Sequence, residues 1–223
     1  MIQSAKTQIP FIWISVAFIS FLSGLLIPYL EGRSNSFWVM PLMLPASLFP
    51  FVLLFVSSVA LAWCWIRSVL AKRDVIAVGV MFSLSVVLFA TSIILRPSDL
   101  FHCGFRHYAK TILTADEWRS ISQVAQERLG PEGQLPGPEK NLWEEKEHRA
   151  LWSDICGGTK IQKLDPSLVI FVRPEETEIV WGGALVGHRG VVIFTRKGGD
   201  DHGAGLSHTI FIADDIATFV SAH

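Results

Sequence analysis

Three long apolar stretches occupy the first part of the chain. Residues 9–30 and 75–95 carry no charge, and residues 48–70 carry only Arg67. A helix needs about 20 apolar residues to cross the hydrocarbon core of a bilayer. We therefore predict an integral membrane α-helical region, residues 1–96, with three transmembrane helices over these stretches.

Prolines shape the boundaries of these predicted helices. Pro28 lies in the last turn of the first stretch, where we expect it to kink or end the helix. Pro41, Pro45 and Pro50 follow before the second stretch. Because proline disfavours helix both at its own position and at the preceding one, we predict an interfacial or loop segment over Phe37–Ser47.

Beyond Arg96-Pro97 the pattern becomes that of a small α+β domain, residues 97–223. Thr114 and Glu117 form a capping-box pattern that opens a helix. Helices followed by strands favour an antiparallel sheet over alternating βαβ units. We predict helices over 114–129 and 141–155, strands over 168–172, 177–181, 190–195 and 208–213, a further candidate strand over 159–164, and a short terminal helix over 214–221.

Charge divides the chain at the same point. Residues 1–96 hold six basic and two acidic residues, a net charge of +4, while residues 97–223 hold thirteen basic and eighteen acidic residues, a net charge of −5. An acidic domain lacks the basic footprint of a nucleic-acid-binding protein. The predicted partner is the lipid bilayer, together with a protein partner or a second copy through the membrane helices.

The distribution of basic residues also predicts sidedness. The connector Arg67–Asp74 holds three basic residues and the connector Glu31–Ser47 holds one, so the positive-inside rule places the former in the cytoplasm. The domain is then extracytoplasmic, on a multi-pass protein of the cell membrane. Arg96, Arg106 and Lys110 follow the third helix and favour the opposite orientation.

The glycine-rich segment 197–205 contains the strongest candidates for chemistry. Asp200, Asp201 and His202 could bind a metal or act as acid and base, since carboxylate and imidazole are common ligands. His188 and His208 flank the same region and are weaker candidates for the same site. The alternative is a solvated hairpin tip, where glycine and aspartate supply turn geometry.

Two cysteines of the domain, Cys103 and Cys156, are candidates for a disulfide if the domain faces an oxidising compartment. The alternative is two independent thiols. His102 and His107 beside Cys103 hint at a metal site, but no distant fourth ligand accompanies them.

No nucleophile elbow and no paired-histidine zinc motif occurs in the sequence, and we predict no cofactor. The first hypothesis is therefore non-catalytic: the extracytoplasmic domain binds a partner or ligand. The alternatives are a membrane-tethered hydrolase or metal-dependent enzyme that uses the histidines and aspartates above, and an accessory subunit of a larger membrane complex. The chain has the general character of a small bacterial membrane protein, without a motif that identifies a family.

Overall fold

A computed structural model describes residues 2–34, 40–95, 97–136, 146–163, 168–181, 188–195 and 209–221. The chain divides into two compact units, Met1–Gly104 (unit 1) and Phe105–His223 (unit 2).

Unit 1 is built from three long helices that pack on one another: α1 (Ile2–Ser34), α2 (Met40–Ala71) and α3 (Val75–Ile94). The segments Gln8–Ser34, Leu48–Ala71 and Val75–Ile94 are long and apolar enough to cross a membrane. Helices α2 and α3 form an antiparallel hairpin. The ring centroids of Trp65 and Phe82 lie 5.8 Å apart, and those of Phe55 and Phe89 lie 6.0 Å apart.

The prediction of a loop over Phe37–Ser47 is wrong for the part of that segment that the structure describes. Helix α2 already begins at Met40 and continues through Pro41, Pro45 and Pro50. Pro41 lies in the first turn, where its missing N–H would have no intrahelical partner. Helices in apolar surroundings tolerate further prolines when neighbouring helices support them, and α1 likewise continues past Pro28 to Ser34.

The surfaces where the three helices meet carry mostly small side chains. Buried serines on α2 and α3 satisfy their hydroxyls within their own helix: Ser57 donates to the Leu53 carbonyl at 2.7 Å and Ser85 to the Phe82 carbonyl at 2.8 Å. No partner on another helix is needed, so these positions serve close packing. The buried positions described on these helices are Pro10, Ala17, Ser20, Gly24, Pro28, Gly32, Pro50, Leu54, Ser57, Ser58, Leu61, Val78, Ser85 and Ser92.

Large apolar side chains face outward from the same three helices. Among the described residues, every exposed large hydrophobic side chain lies between residues 9 and 95, except Phe211. Ile76 is 84% exposed and Leu70 is 78% exposed. Water-soluble proteins rarely expose so large a contiguous apolar area, so unit 1 has an unusually apolar outer surface.

Helix α4 (Pro97–Ile112) was not predicted from the sequence, and it runs through the boundary between the units. Pro97 at its first position and Asp99 in its first turn suit a helix start. In unit 2, its residues Phe105 and Ala109 are completely buried.

Helices α5 (Ala115–Leu129) and α6 (Lys146–Cys156) complete the helical part of unit 2. The predicted capping box is present, since the Thr114 and Glu117 side chains each accept the other residue's backbone N–H. The Arg119 guanidinium donates two hydrogen bonds of 2.7 Å to Asp215, which ties α5 to the sheet. Of the predicted helix 141–155, residues 141–145 lie outside the described residues.

Six strands form one antiparallel sheet in the order β1-β2-β3-β4-β6-β5. Helix α5 lies over one face, where Ser122 donates a buried hydrogen bond of 2.8 Å to the Thr177 hydroxyl. The opposite face carries a buried apolar cluster of Val180, Val192, Ala217 and Phe219. The strands are β1 (Gln134–Pro136), β2 (Leu168–Val172), β3 (Glu176–Trp181), β4 (His188–Phe194), β5 (Thr209–Ala213) and β6 (Ile216–Ser221).

Two local predictions in this region are corrected. The segment 214–221 is not a helix: Asp214 and Asp215 form a turn, and Ile216–Ser221 is strand β6 between β4 and β5. The β-branched and aromatic side chains of that segment suit a pleated surface, and pairing on both sides outweighs the helical spacing of its apolar residues. The candidate strand over 159–164 is instead a 3₁₀ helix at Lys160–Lys163.

Candidate functional site

The structure does not bring the predicted histidine and aspartate site together within the described residues. His188 is the first residue of β4 and pairs with Ser221 across the sheet. Asp200, Asp201, His202 and His208 lie outside the described residues. A metal or acid-base site formed by these side chains therefore stays a prediction.

The three cysteines are free thiols in the structure. Cys103 is exposed on α4, whereas Cys156 is buried at the end of α6. Burial raises the pKa of the Cys156 thiol to about 12, so that the reactive thiolate is scarce at neutral pH. A disulfide between Cys103 and Cys156 stays a prediction, and its formation would require exposure of the buried thiol.

The metal site suggested by His102, Cys103 and His107 finds no support in α4. His102 is buried, while Cys103 and His107 are exposed one turn apart on another side of the helix. Among the described residues, no group of three or more histidine, cysteine, aspartate or glutamate side chains is arranged to hold a metal ion.

A cluster of charged side chains at the β2–β3 turn is the feature that the sequence analysis missed. The turn is tight, since the Arg173 N–H donates to the Glu176 carbonyl at 2.8 Å. Glu176 and Glu178 follow on β3, two residues apart, and so project from the same face of the sheet. That face is the one that carries the apolar cluster, because Glu178 pairs with Phe171 and Val192.

The Arg173 guanidinium forms an ion pair with each of the two carboxylates of this cluster. Nη1 of Arg173 lies 3.1 Å from Oε1 of Glu176 and 3.2 Å from Oε1 of Glu178. Both glutamates are 7% exposed. Burial raises the pKa of the Glu178 carboxyl and the neighbouring Glu176 raises it further, while the Arg173 charge acts in the opposite direction. The two carboxylates and one guanidinium carry a net charge of −1, so the cluster is suited to hold one proton.

The polar first half of β3 concealed this cluster. A strand that reads Glu-Thr-Glu-Ile-Val-Trp suggests a polar face towards solvent, yet all six residues are buried. The available signal was Arg173, which lies three residues before Glu176 and five before Glu178.

An aromatic cluster surrounds the other end of β3. Trp181 is completely buried, and its ring centroid lies 5.6 Å from that of Phe105 and 6.2 Å from that of Trp118, both in edge-to-face geometry. Trp118 donates its indole N–H to the Ala109 carbonyl at 3.3 Å. The indole N–H groups of Trp181 and Trp152 are buried and have no hydrogen-bond partner within the part of the chain that the structure describes. Trp181 is thus a core residue rather than the border of an open pocket.

Gly190 on β4 lies where the protein itself leaves no room for a side chain. Gly190 pairs with Phe219 across the ladder, and a Cβ at position 190 would lie 2.7 Å from two atoms of the Phe219 ring. The ring therefore occupies the space above Gly190, and no ligand is needed to account for the glycine.

Comparison with known proteins supplies no assignment: no family model, no curated protein and no solved structure matches this chain. The function must be inferred from the two units themselves.

Proposed function

We propose that this chain is a multi-pass membrane protein whose α+β domain is displayed outside the cytoplasm and binds a partner or ligand without catalysing a reaction. One observation carries the membrane part. Apart from Phe211, every exposed large hydrophobic side chain of the described residues lies on one of the three long helices of unit 1 or at Leu95, directly after α3.

The helix lengths support the same proposal. The apolar segments of α1, α2 and α3 contain 27, 24 and 20 residues. At a rise of about 1.5 Å per residue, each reaches at least about 30 Å, the thickness of a hydrocarbon core. Alkaline carbonate extraction of membranes from expressing cells tests the insertion. We expect the chain to stay in the pellet, and its release into the supernatant would contradict the proposal.

The exposure of the basic residues supports the proposed sidedness. Arg67, Lys72 and Arg73 are all exposed at the connection between α2 and α3. Among the residues that favour the opposite orientation, Arg106 is half-buried and its Nε atom is withdrawn from solvent. Labelling of the exposed Cys103 in intact cells with an impermeant maleimide tests this orientation. Labelling that occurs only after lysis would place the domain in the cytoplasm.

Strand β5 supports a protein partner for the domain. It lies at one edge of the sheet, where the described residues provide no further strand. Phe211 on β5 is 45% exposed, and the sequence Thr-Ile-Phe-Ile-Ala carries no charge that would discourage pairing with another chain. A photo-crosslinking residue at position 211 is expected to capture a discrete protein in cells. The same residue at the exposed Glu175 is the matched control and should capture none.

A different measurement distinguishes the enzymatic alternative from the proposed binding domain. Metal analysis of the purified protein, combined with His188→Ala and His202→Ala variants, tests it. Bound metal that both substitutions remove would favour the metal-dependent enzyme over the binding domain. Unchanged crosslinking at position 211 in both variants would favour the binding domain.

A further inference from the structure

The connection between α2 and α3 concentrates positive charge in very few residues. We call Arg67, Lys72, Arg73 and Asp74 the hairpin tip. All four are exposed, and they carry a net charge of +2. Arg67, Lys72 and Arg73 make no ion pair with any residue in the part of the chain that the structure describes.

The backbone of the hairpin tip is unusual for the residues it contains. Lys72 and Asp74 have φ angles of 53° and 52°, in the left-handed region. The chain ends α2 with hydrogen bonds from the Lys72 N–H to the Val69 carbonyl at 3.2 Å and from the Arg73 N–H to the Ser68 carbonyl at 3.1 Å. Glycine is the usual residue at such a helix end because it has no Cβ. A lysine therefore stands where glycine would cost less conformational free energy.

The surroundings place this charge beside an apolar surface. The Arg67 guanidinium lies 5.2 Å from the centre of the Trp63 ring, in a cation–π arrangement. Trp63 and Trp65 are 57% and 38% exposed, one to two turns before the end of α2. Tryptophan is enriched at the boundary between hydrocarbon and headgroups, so the neighbouring cations lie at headgroup level when α2 crosses a bilayer.

We propose that the hairpin tip binds the headgroups of anionic phospholipids, with Arg67, Lys72 and Arg73 as the phosphate-binding side chains. The inference rests on the membrane insertion proposed above. A lipid headgroup fits better than a free phosphate, because the exposed tryptophans and apolar side chains beside the cations contact acyl chains of the same lipid.

Lipid selectivity of the purified full-length protein tests the proposal. The protein is reconstituted in bilayers of equal phosphatidylglycerol and phosphatidylcholine, extracted in mild detergent, and its retained lipids are measured by native mass spectrometry. We expect phosphatidylglycerol to be enriched by between about fivefold and about a hundredfold, since each of the three basic residues near an anionic surface contributes a preference of about fivefold. The triple variant Arg67→Gln, Lys72→Gln, Arg73→Gln should show no preference.

The C-terminal end of α1, which is not part of the hairpin tip, supplies a matched control. Arg33 is also an exposed basic residue at the end of a long apolar helix. The Arg33→Gln variant should retain the full preference. Equal loss of preference in Arg33→Gln and in the triple variant would overturn the proposal, because it would show a general effect of charge. An unchanged preference in the triple variant would overturn it as well.

Lys72 separates a lipid-binding role from a structural one. In Lys72→Gly, the strain of the left-handed conformation is relieved, so the melting temperature in detergent should rise or stay the same. Phosphatidylglycerol enrichment should nevertheless fall. A more stable variant with undiminished enrichment would show that Lys72 does not contribute to lipid binding and would remove it from the site.

The experiments distinguish failure of the lipid site from failure of the proposed function. Release of the wild-type protein by alkaline carbonate would overturn membrane insertion and the lipid site together. Retention in the membrane pellet, with no selectivity for phosphatidylglycerol, would overturn the lipid site and leave the proposed function standing.

Discussion

Units 1 and 2 distribute their side chains in opposite ways. In unit 1 the buried positions are mostly alanine, glycine and serine, and the large apolar side chains are exposed. In unit 2 the largest buried side chains are Trp118, Trp152, Trp181 and Phe105, and most of the described acidic residues are exposed. The difference accords with the membrane insertion proposed for unit 1. Hydrocarbon does not drive large apolar side chains inward, so in a membrane the close packing of small side chains would hold the helices together.

The largest expected effect is a difference in stability between two tryptophan-to-alanine variants, one in each unit. Trp181→Ala should lower the stability of the sheet by about 3–5 kcal/mol, because it leaves a cavity among the aromatic rings. Trp63→Ala, at a site that is 57% exposed, should cost less than about 1 kcal/mol. Hydrogen exchange of the full chain, read on peptides from β2 to β4, measures the difference. Equal protection in both variants would contradict the assigned packing.

The second largest effect is on membrane insertion, and it is tested at two apolar residues of similar exposure. Leu84 on α3 is 47% exposed and Phe211 on β5 is 45% exposed. An aspartate near the middle of a membrane helix costs about 3 kcal/mol, so Leu84→Asp should impair insertion of α3. A reporter fused after His223 should then shift sides in a measurable fraction of molecules. Phe211→Asp should leave the reporter unchanged, and equal responses would remove the distinction between the units.

Two glycines provide the third comparison. A Cβ at Gly190 would lie 2.7 Å from the Phe219 ring, whereas the nearest atom to a Cβ at Gly24 is the Pro50 Cβ at 3.6 Å. Gly190→Ala should therefore cost about 1–3 kcal/mol through overpacking, and Gly24→Ala should be tolerated. Thermal unfolding of each variant in detergent measures both. A Cβ at position 190 would also lie 2.5 Å from the Ile179 carbonyl oxygen, so tolerance of alanine there would show that both the Phe219 ring and the backbone of β3 can shift.

How far the sequence predicted this molecule depends on the kind of signal. The apolar stretches gave the three long helices because length and hydropathy are local properties. The capping box of Thr114 and Glu117 was equally readable, since both partners lie within one turn. Strand β6 was misread because Ile216, Phe219 and Val220 also fit a helical spacing, and only pairing with β4 and β5 decides between the two.

The charged cluster at the β2–β3 turn could not be predicted for a related reason. Whether Glu176 and Glu178 face water depends on what lies against that face of the sheet, and the polar first half of β3 carries no such information. Burial of the pair follows from the fold as a whole. The histidine and aspartate candidates of residues 188–208 were chosen by composition, and for four of the five the described residues provide no test.

The smallest effect concerns the pH dependence of unit 2, and its sign follows from burial. The folded-state pKa of Glu178 is raised above its ordinary value of 4.5, chiefly by burial. A group of this kind contributes stability that is fully present below the unfolded pKa and is lost as pH rises through the folded pKa. Unit 2 should thus become less stable as pH rises from about 4.5 through the raised pKa of Glu178.

Glu178→Gln should remove this slope, because the amide keeps the shape of the side chain and does not ionise. At neutral pH the variant should be slightly more stable than the wild type, since it buries no second carboxylate beside Glu176. Glu175→Gln is the matched control, because Glu175 is exposed in the same turn and should leave the slope intact. Hydrogen exchange of β2 and β3 at several pH values gives the readout. A slope that persists in Glu178→Gln would assign the pH dependence to another group. A fall in stability of that variant at neutral pH would mean that the ion pair with Arg173 outweighs the cost of burying the charge.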